Sequence, residues 1–145
     1  MALKRLWGKI ITAMNNNESR IFLVDDEPDI AFALNVGLED NGFAVDTFND
    51  PLVALQSFKE KYNKKESYAL TLIDFRMPRM NGFELYNEIR KIDDRVKVCF
   101  ITAFDIQKEA LKAAIPELNA EKAVIIKKPI KMDDLAKTVA QKIEE

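Results

Sequence analysis

The sequence predicts a doubly wound α/β domain, a parallel five-stranded sheet with helices on both faces. Three observations carry this. Short runs of apolar or β-branched residues recur at 21–24, 69–73 and 123–126, and at 96–101 with Lys97 alone interrupting, as in strands buried on both sides. Segments of helical periodicity stand between them, and a (βα)5 alternation needs crossover connections, hence parallel pairing. Polar residues of chemical interest then follow the runs at equivalent places: Asp25 and Asp26 after the first strand, Asp74 after the third, Thr102 after the fourth and Lys128 after the fifth.

Composition bounds the rest. The 145 residues suffice for one domain with a substantial core. An apolar share of 48% beside 32% charged is that of a globular chain rather than a disordered or membrane-spanning one. The formal charge of −2 gives no general attraction to nucleic acid. Cys99 is the single cysteine and can form no internal disulfide, which points to a reducing, cytoplasmic setting. Histidine is absent, which excludes Ser-His and Cys-His nucleophiles, His-ligated zinc and a phosphohistidine on this chain.

In chain order, Leu3, Leu6, Trp7, Ile10, Ile11 and Met14 recur at helical spacing, with Lys4, Arg5 and Lys9 elsewhere on the wheel. Such a basic amphipathic segment suits a membrane surface, the domain's own face, a second copy of the chain, or an extension upstream of the true start at Met14. Residues 15–19 read as a linker, so the domain is expected over 20–145 with 1–19 as an extension. After strand one, Asp25-Asp26-Glu27-Pro28-Asp29 opens a helix that carries Ile30, Phe32, Ala33, Leu34, Val36 and Leu38. It stops at Asn41-Gly42, where glycine takes the left-handed conformation of a helix end. Residues 43–48 alternate like a more exposed strand. Asn49-Asp50-Pro51 opens a second helix, with Leu52, Val53, Leu55, Phe58 and Tyr62 expected on its inner face. Residues 59–66 read as a solvated charge run.

The third strand runs into Asp74 and a loop closed by Pro78 and Asn81-Gly82. Phe83, Leu85, Tyr86 and Ile89 then mark a short helix. The fourth strand ends at Thr102, and a helix from Asp105 to about Ile115 is broken by Pro116. The fifth strand is followed by Lys127-Lys128-Pro129, and Met132, Leu135, Val139 and Ile143 mark the last helix.

Each polar residue at a strand end has an ordinary explanation. Asp74 fits a turn cap, Asp-Asp-Glu a helix start, Thr102 a turn and Lys128 a surface charge. Their convergence on one sheet edge is what speaks for chemistry, because open α/β sheets hold ligands at the carboxyl ends of their strands. Two carboxylates about 4 Å apart repel by roughly 4 kcal/mol at an effective dielectric near 20, so three acids in one crevice call for a cation. Mg²⁺ fits, being held by carboxylates together with phosphate. Lys128 and Thr102 would serve the remaining phosphoryl oxygens. A carboxylate is already ionised at pH 7 and needs no histidine as base to attack phosphorus.

Val24-Asp25-Asp26-Glu27, the run from Leu72-Ile73-Asp74-Phe75 through Arg76-Met77-Pro78-Arg79 to Met80-Asn81-Gly82, Ile101-Thr102-Ala103 and Lys128-Pro129 resemble the response regulator receiver domain of two-component signalling. The likeness covers about residues 20–144. It implies a flavodoxin-like sheet of order 2-1-3-4-5 and Asp74 as the phosphoacceptor. It further implies Mg²⁺ bound by Asp26, by Asp25 through water, by Asp74 and by the Arg76 carbonyl, with Lys128 and Thr102 attending the phosphoryl group. The donor would be a phosphohistidine on a sensor kinase or phosphotransfer protein, and the output a changed face of helix four, strand five and helix five toward an unnamed protein target. Homodimerisation is compatible with the family. The chain would accept a phosphoryl group and lose it by hydrolysis, without being a turnover enzyme.

Ile125 departs from the family, standing where an aromatic residue normally couples to the threonine. So do the 119–123 approach to strand five and the pair Arg76 and Phe104, at positions that tune phosphoryl lifetime. The rival reading is a docking module of receiver shape that works without phosphorylation. A haloacid dehalogenase-type hydrolase would carry a second Asp where Arg76 stands, and a flavin or nucleotide binder would need a glycine-rich turn after strand one.

Overall fold

The computed structural model describes residues 20–103, 108–114 and 124–145. Along the described chain run β1 (Arg20–Val24), α1 (Pro28–Asp40), β2 (Ala44–Phe48), α2 (Pro51–Asn63), β3 (Leu70–Asp74), α3 (Gly82–Ile92), β4 (Val98–Thr102), α4 (Lys108–Ala114), β5 (Val124–Lys127) and α5 (Met132–Glu144). The strands form one sheet in the order β2-β1-β3-β4-β5, and every pairing is parallel. This is the expected flavodoxin-like topology. The segment 1–14 and its linker, Phe104 and the helix start at Asp105, Ile115 and Pro116, and the 119–123 approach lie outside the described residues.

Successive strand side chains point to opposite faces, so each buried strand feeds two cores. On one face Ile21, Leu23, Leu70, Leu72, Cys99 and Ile101 meet Leu34 and Leu38 of α1 and Leu135, Ala136 and Val139 of α5. On the other, Phe22, Val24, Ile73, Val98 and Phe100 meet α2 through Ala54, Leu55 and Phe58, and α3 through Phe83, Leu85, Tyr86 and Ile89. Phe22 sits among Phe48, Phe58 and Tyr68, with ring centroids 5.1–5.3 Å away. Cys99 is wholly buried, and burial pushes its thiol up to about 12. It packs as a small hydrophobe rather than a nucleophile.

Local chemistry sets the helix ends. Asp50 caps α2 by accepting from the Leu52 amide at 2.8 Å. Asn81 and Glu84 form a reciprocal capping box at the start of α3. Gly42, with φ 90°, turns the chain out of α1 as expected.

The inner face of α2 differs from the expectation. Pro51, Ala54, Leu55 and Phe58 are buried, whereas Leu52, Val53 and Tyr62 are exposed. The buried positions follow the i, i+3, i+4, i+7 stripe, and Leu52 and Val53 fall off it. The end of the core that Tyr62 was expected to fill is taken by Tyr68, stacked on Phe58 at 5.6 Å. Nor is the 59–66 run merely solvated. Lys61 reaches back to Asp46 on β2 at 3.0 Å, and Asp46 also takes hydrogen bonds from Arg20 (2.8 Å) and the Tyr68 hydroxyl (2.6 Å).

Candidate phosphoacceptor site

The strand order reverses beside β1, and the crevice above the β1 and β3 ends is where a doubly wound sheet binds its ligand. Asp25 and Asp26 leave β1 there, and Asp74 is the last residue of β3. Carboxylate oxygens of Asp25, Asp26, Glu27 and Asp74 all lie within 4.8 Å of one another. Asp25 and Asp74 are buried. The Asp25 Oδ1 atom accepts from the Glu27 amide at 3.0 Å, which pins the carboxylate. Its Oδ2 atom is buried without a hydrogen-bond partner.

Lys128 enters from the far side of β4, just beyond β5, its peptide bond to Pro129 cis. Its amide donates to the Thr102 carbonyl at 2.8 Å. The side chain, 13% exposed, brings Nζ to 3.0 Å from Asp25 Oδ2, 3.2 Å from Glu27 Oε1 and 3.7 Å from Asp74 Oδ1. The contact with Asp25 is an ion pair off the line of a hydrogen bond, whereas Glu27 accepts one. Burial alone would lower the Lys128 ammonium, but Asp25, Asp74 and Glu27 together hold it above the ordinary lysine value.

One ammonium does not balance four carboxylates. Burial first, and then the Asp25 charge, push Asp74 up to about 7; Lys128 opposes the shift, and a hydrogen bond from the protonated Asp74 carboxyl to the Asp26 carboxylate adds to it. The donor set is all oxygen, partly buried and over-supplied with negative charge. The buried Oδ2 of Asp25 is met by the Lys128 ammonium at 3.0 Å and accepts no hydrogen bond of its own. Those features fit a hard divalent cation.

The β3–α3 loop is tied down around Asp74. The Phe75 amide donates to the Ile101 carbonyl, and the Gly82 amide donates to the Phe75 carbonyl, both at 2.8 Å. Gly82 lies so close that a Cβ there would stand 2.6 Å from the Asp74 carbonyl oxygen. Further along the loop, Arg79 takes φ 70° and pairs with Asp50 at the cap of α2. Arg76 sits on this loop two residues past Asp74, its side chain exposed. Thr102 is buried at the end of β4, whose Ile101 pairs in register with Asp74.

Of the residues singled out in the sequence, Asp25, Asp26, Asp74 and Lys128 therefore converge, and Thr102 and Arg76 flank them on the neighbouring strand end and loop. Glu27 is the addition. Its place at the head of α1 reads as a helix cap, yet the side chain makes no cap hydrogen bond and turns to Lys128 instead. The run of three acids was the only signal for it.

Residues 21–140 match the profile of the response regulator receiver domain. The response regulator receiver protein CpdR of Brucella abortus is 32% identical over 121 residues, covering 83% of this chain and 92% of CpdR. The transcriptional regulatory protein CpxR homolog of Haemophilus influenzae is 42% identical over 85 residues, covering 59% of this chain and 34% of that protein. The chain thus spans about a quarter to a half of the transcriptional regulators it matches, TctD of Salmonella typhimurium included at 48%, but nearly all of CpdR. Among solved structures, a receiver domain from Clostridium thermocellum superposes with a TM-score of 0.72 at 27% identity, covering 87% of this chain and 94% of that one. TrrA of Thermotoga maritima, solved in complex with Mg²⁺-BeF, gives 0.66 at 29% identity, covering 86% of this chain and 98% of its own. Response regulators are phosphorylated by histidine kinases and act on downstream targets, as signalling proteins rather than turnover enzymes. No helix among the described residues is long and apolar enough to cross a membrane. A five-stranded sheet of this order, an acidic crevice at its switch point and a profile match over most of the chain lead to one assignment: the protein belongs to the response regulator receiver domains of two-component systems.

Proposed function

We propose that this receiver accepts a phosphoryl group on Asp74 in a Mg²⁺-dependent transfer from a phosphohistidine of a sensor kinase or a histidine phosphotransfer protein. The observation that supports this best is the gathering of Asp25, Asp26, Glu27 and Asp74 oxygens within 4.8 Å, with Lys128 Nζ among them. Asp25, Asp26, Asp74 and the Arg76 carbonyl are the residues that would hold Mg²⁺. Bound there, the ion supplies countercharge to the acids and to the phosphoryl oxygens. The TrrA complex with Mg²⁺-BeF supports the same choice of metal.

In the transfer an Asp74 carboxylate oxygen attacks phosphorus in line as the bond from phosphorus to the imidazole nitrogen breaks, its electron pair leaving with the imidazole. Little covalent work falls to the protein, so positioning and charge dominate. The Lys128 ammonium, 3.7 Å from Asp74, needs only a short swing to pair with the incoming oxygens. The Thr102 hydroxyl follows, and the end of β4 shifts between two populations that the α4-β5-α5 face reports to a downstream protein. Hydrolysis of the acyl phosphate resets the domain. Residues 20–145 make up this unit, residues 1–19 are an appended extension, and the setting is cytoplasmic.

The rival reading, a docking module independent of phosphorylation, draws on one observation. Ile125 packs against the cluster containing Phe100 and Tyr86 and offers no hydroxyl to answer Thr102. Acetyl phosphate with Mg²⁺, followed by intact-mass measurement, separates the two. A single adduct that Asp74→Asn abolishes supports the receiver, and an unmodified wild-type chain supports the docking module. Turnover of a small phosphoester would overturn both.

A further inference from the structure

Gly37 stands inside α1 with helical backbone, where glycine has no conformational use and weakens the helix relative to alanine. Its reason is space. A Cβ built on Gly37 would stand 2.7 Å from the sulfur and 2.9 Å from Cγ of Met132, and closer still to the terminal methyl. Interiors are close-packed, and no side chain with a Cβ leaves room for a thioether in that place. The notch in α1 and the methionine laid into it therefore belong together.

Met132 is the first residue of α5, four positions after Lys128. Ile130 and Met132 pack against the core that α1 and α5 share, and the fixed φ of Pro129 stiffens the turn that joins them to the lysine. This turn meets α1 at two places. At the head of the helix Lys128 Nζ donates to Glu27 at 3.2 Å, and Met132 lies on Gly37 roughly 15 Å further along the axis. The same helix follows directly on Asp25 and Asp26, so the clamp joins the element that carries the acids to the element that carries the base. We propose, on the phosphoacceptor reading of the site, that the seat of Met132 on Gly37 positions Lys128 and holds its ammonium within reach of a phosphoryl group on Asp74. Both residues act through the lysine, whose Nζ stands 3.7 Å from Asp74 Oδ1. Misplacing a reacting or charge-bearing group by about 1 Å can cost on the order of 100-fold in rate, so a small shift of the turn is enough to register.

Two measurements on the full chain test this: the rate of adduct formation with acetyl phosphate and Mg²⁺, followed by intact mass, and the affinity for Mg²⁺ alone by calorimetric titration. Gly37→Ala evicts the thioether and Met132→Ala removes it. Each is expected to slow adduct formation roughly tenfold, with far-UV circular dichroism unchanged. The double variant should be no slower than either, because the seat is lost only once. In a Lys128→Ala background neither substitution should slow the reaction further. Mg²⁺ should bind each single variant about twofold tighter, since an ammonium that strays from Asp25 competes less for its charge; a crevice that was merely loosened would bind the ion more weakly. Single variants as fast as wild type would overturn the proposal. So would losses that multiply in the double variant, losses that persist without Lys128, or weakened Mg²⁺ binding. A wild-type chain that takes up neither Mg²⁺ nor a phosphoryl group would instead overturn the phosphoacceptor reading itself, and the role of Met132 with it.

Discussion

Replacing Asp74 with Asn should stabilise the fold at pH 8 in the absence of divalent cations. The substitution keeps the shape of the side chain and removes one charge from the most crowded carboxylate. In the folded protein that carboxyl is pushed up to about 7, by burial first and the Asp25 charge second, whereas in an unfolded chain it titrates near 3.9. Between those values the folded state keeps a proton that the unfolded state has released. Wild-type stability therefore falls as pH rises from about 4 to 7, and the loss is complete above 7. At about 1.4 kcal/mol per pH unit the ceiling is roughly 4 kcal/mol, and relaxation of the crevice trims the expected gain to about 2–4 kcal/mol. The 3.7 Å attraction to Lys128 already opposes the shift and is included in it. Urea unfolding of both proteins in EDTA at pH 5 and pH 8 reads the difference, which should be small at pH 5 and largest at pH 8. Adding Mg²⁺ to ten times its Kd should raise the wild type by about 1.4 kcal/mol and the variant by less. An Asn variant less stable than wild type at pH 8 in EDTA, or a difference unchanged between the two pH values, would refute the electrostatic account of the crevice.

Asp46→Ala should cost about 2–3 kcal/mol at pH 7, because it strands the Tyr68 hydroxyl, Lys61 and Arg20 around a side chain only 26% exposed. Burial works against the Asp46 charge, but those partners outweigh it and hold the carboxyl below its usual value. Its contribution is then present above about pH 4 and lost as pH falls through the lowered value, so urea midpoints of wild type and variant should draw together as pH falls below 4. Gly82→Ala should destabilise by about 1–3 kcal/mol, read by thermal unfolding, since the new methyl meets the backbone oxygen of Asp74 at 2.6 Å and the Phe75 Cα at 3.0 Å.

What the sequence made legible follows from how parallel sheets are buried. β1, β3 and β4 are covered on both faces, so the residues between their ends are apolar apart from the β-branched Thr71. The strand ends are then visible where the run meets an acid or a turn residue, which is how Asp25, Asp74 and Thr102 stand out. The parts that stayed hidden are those set by distant partners. Asp46 meets Arg20, Lys61 and Tyr68 across separations of 26, 15 and 22 residues, and each of those residues alone looks like ordinary surface chemistry. Glu27 resembles a helix-capping acid because its true partner, Lys128, lies 101 residues away. Leu52 and Val53 were misplaced because two apolar residues beside a helix start satisfy a loose periodicity, and only the packing of Ala54 and Phe58 fixes which stripe faces inward.

The division of Lys128 among three acids bears on how the proposed transfer and switch operate. Its hold on Glu27 is the weaker one, since that carboxylate is 58% exposed and exposed pairs contribute only about 0–1 kcal/mol. Releasing Glu27 to meet an incoming phosphoryl oxygen is therefore a small cost, while buried Asp25 keeps the ammonium in the crevice. The lysine backbone is meanwhile tied to the Thr102 carbonyl at 2.8 Å, and Thr102 pairs in register with Lys127. In the proposed switch, a displacement of the β4 end would be handed to β5 through these main-chain hydrogen bonds. With Ile125 packed against the Phe100 cluster and no aromatic hydroxyl at that position, the proposed switch would pass from Asp74 to the β5 edge along this backbone ladder.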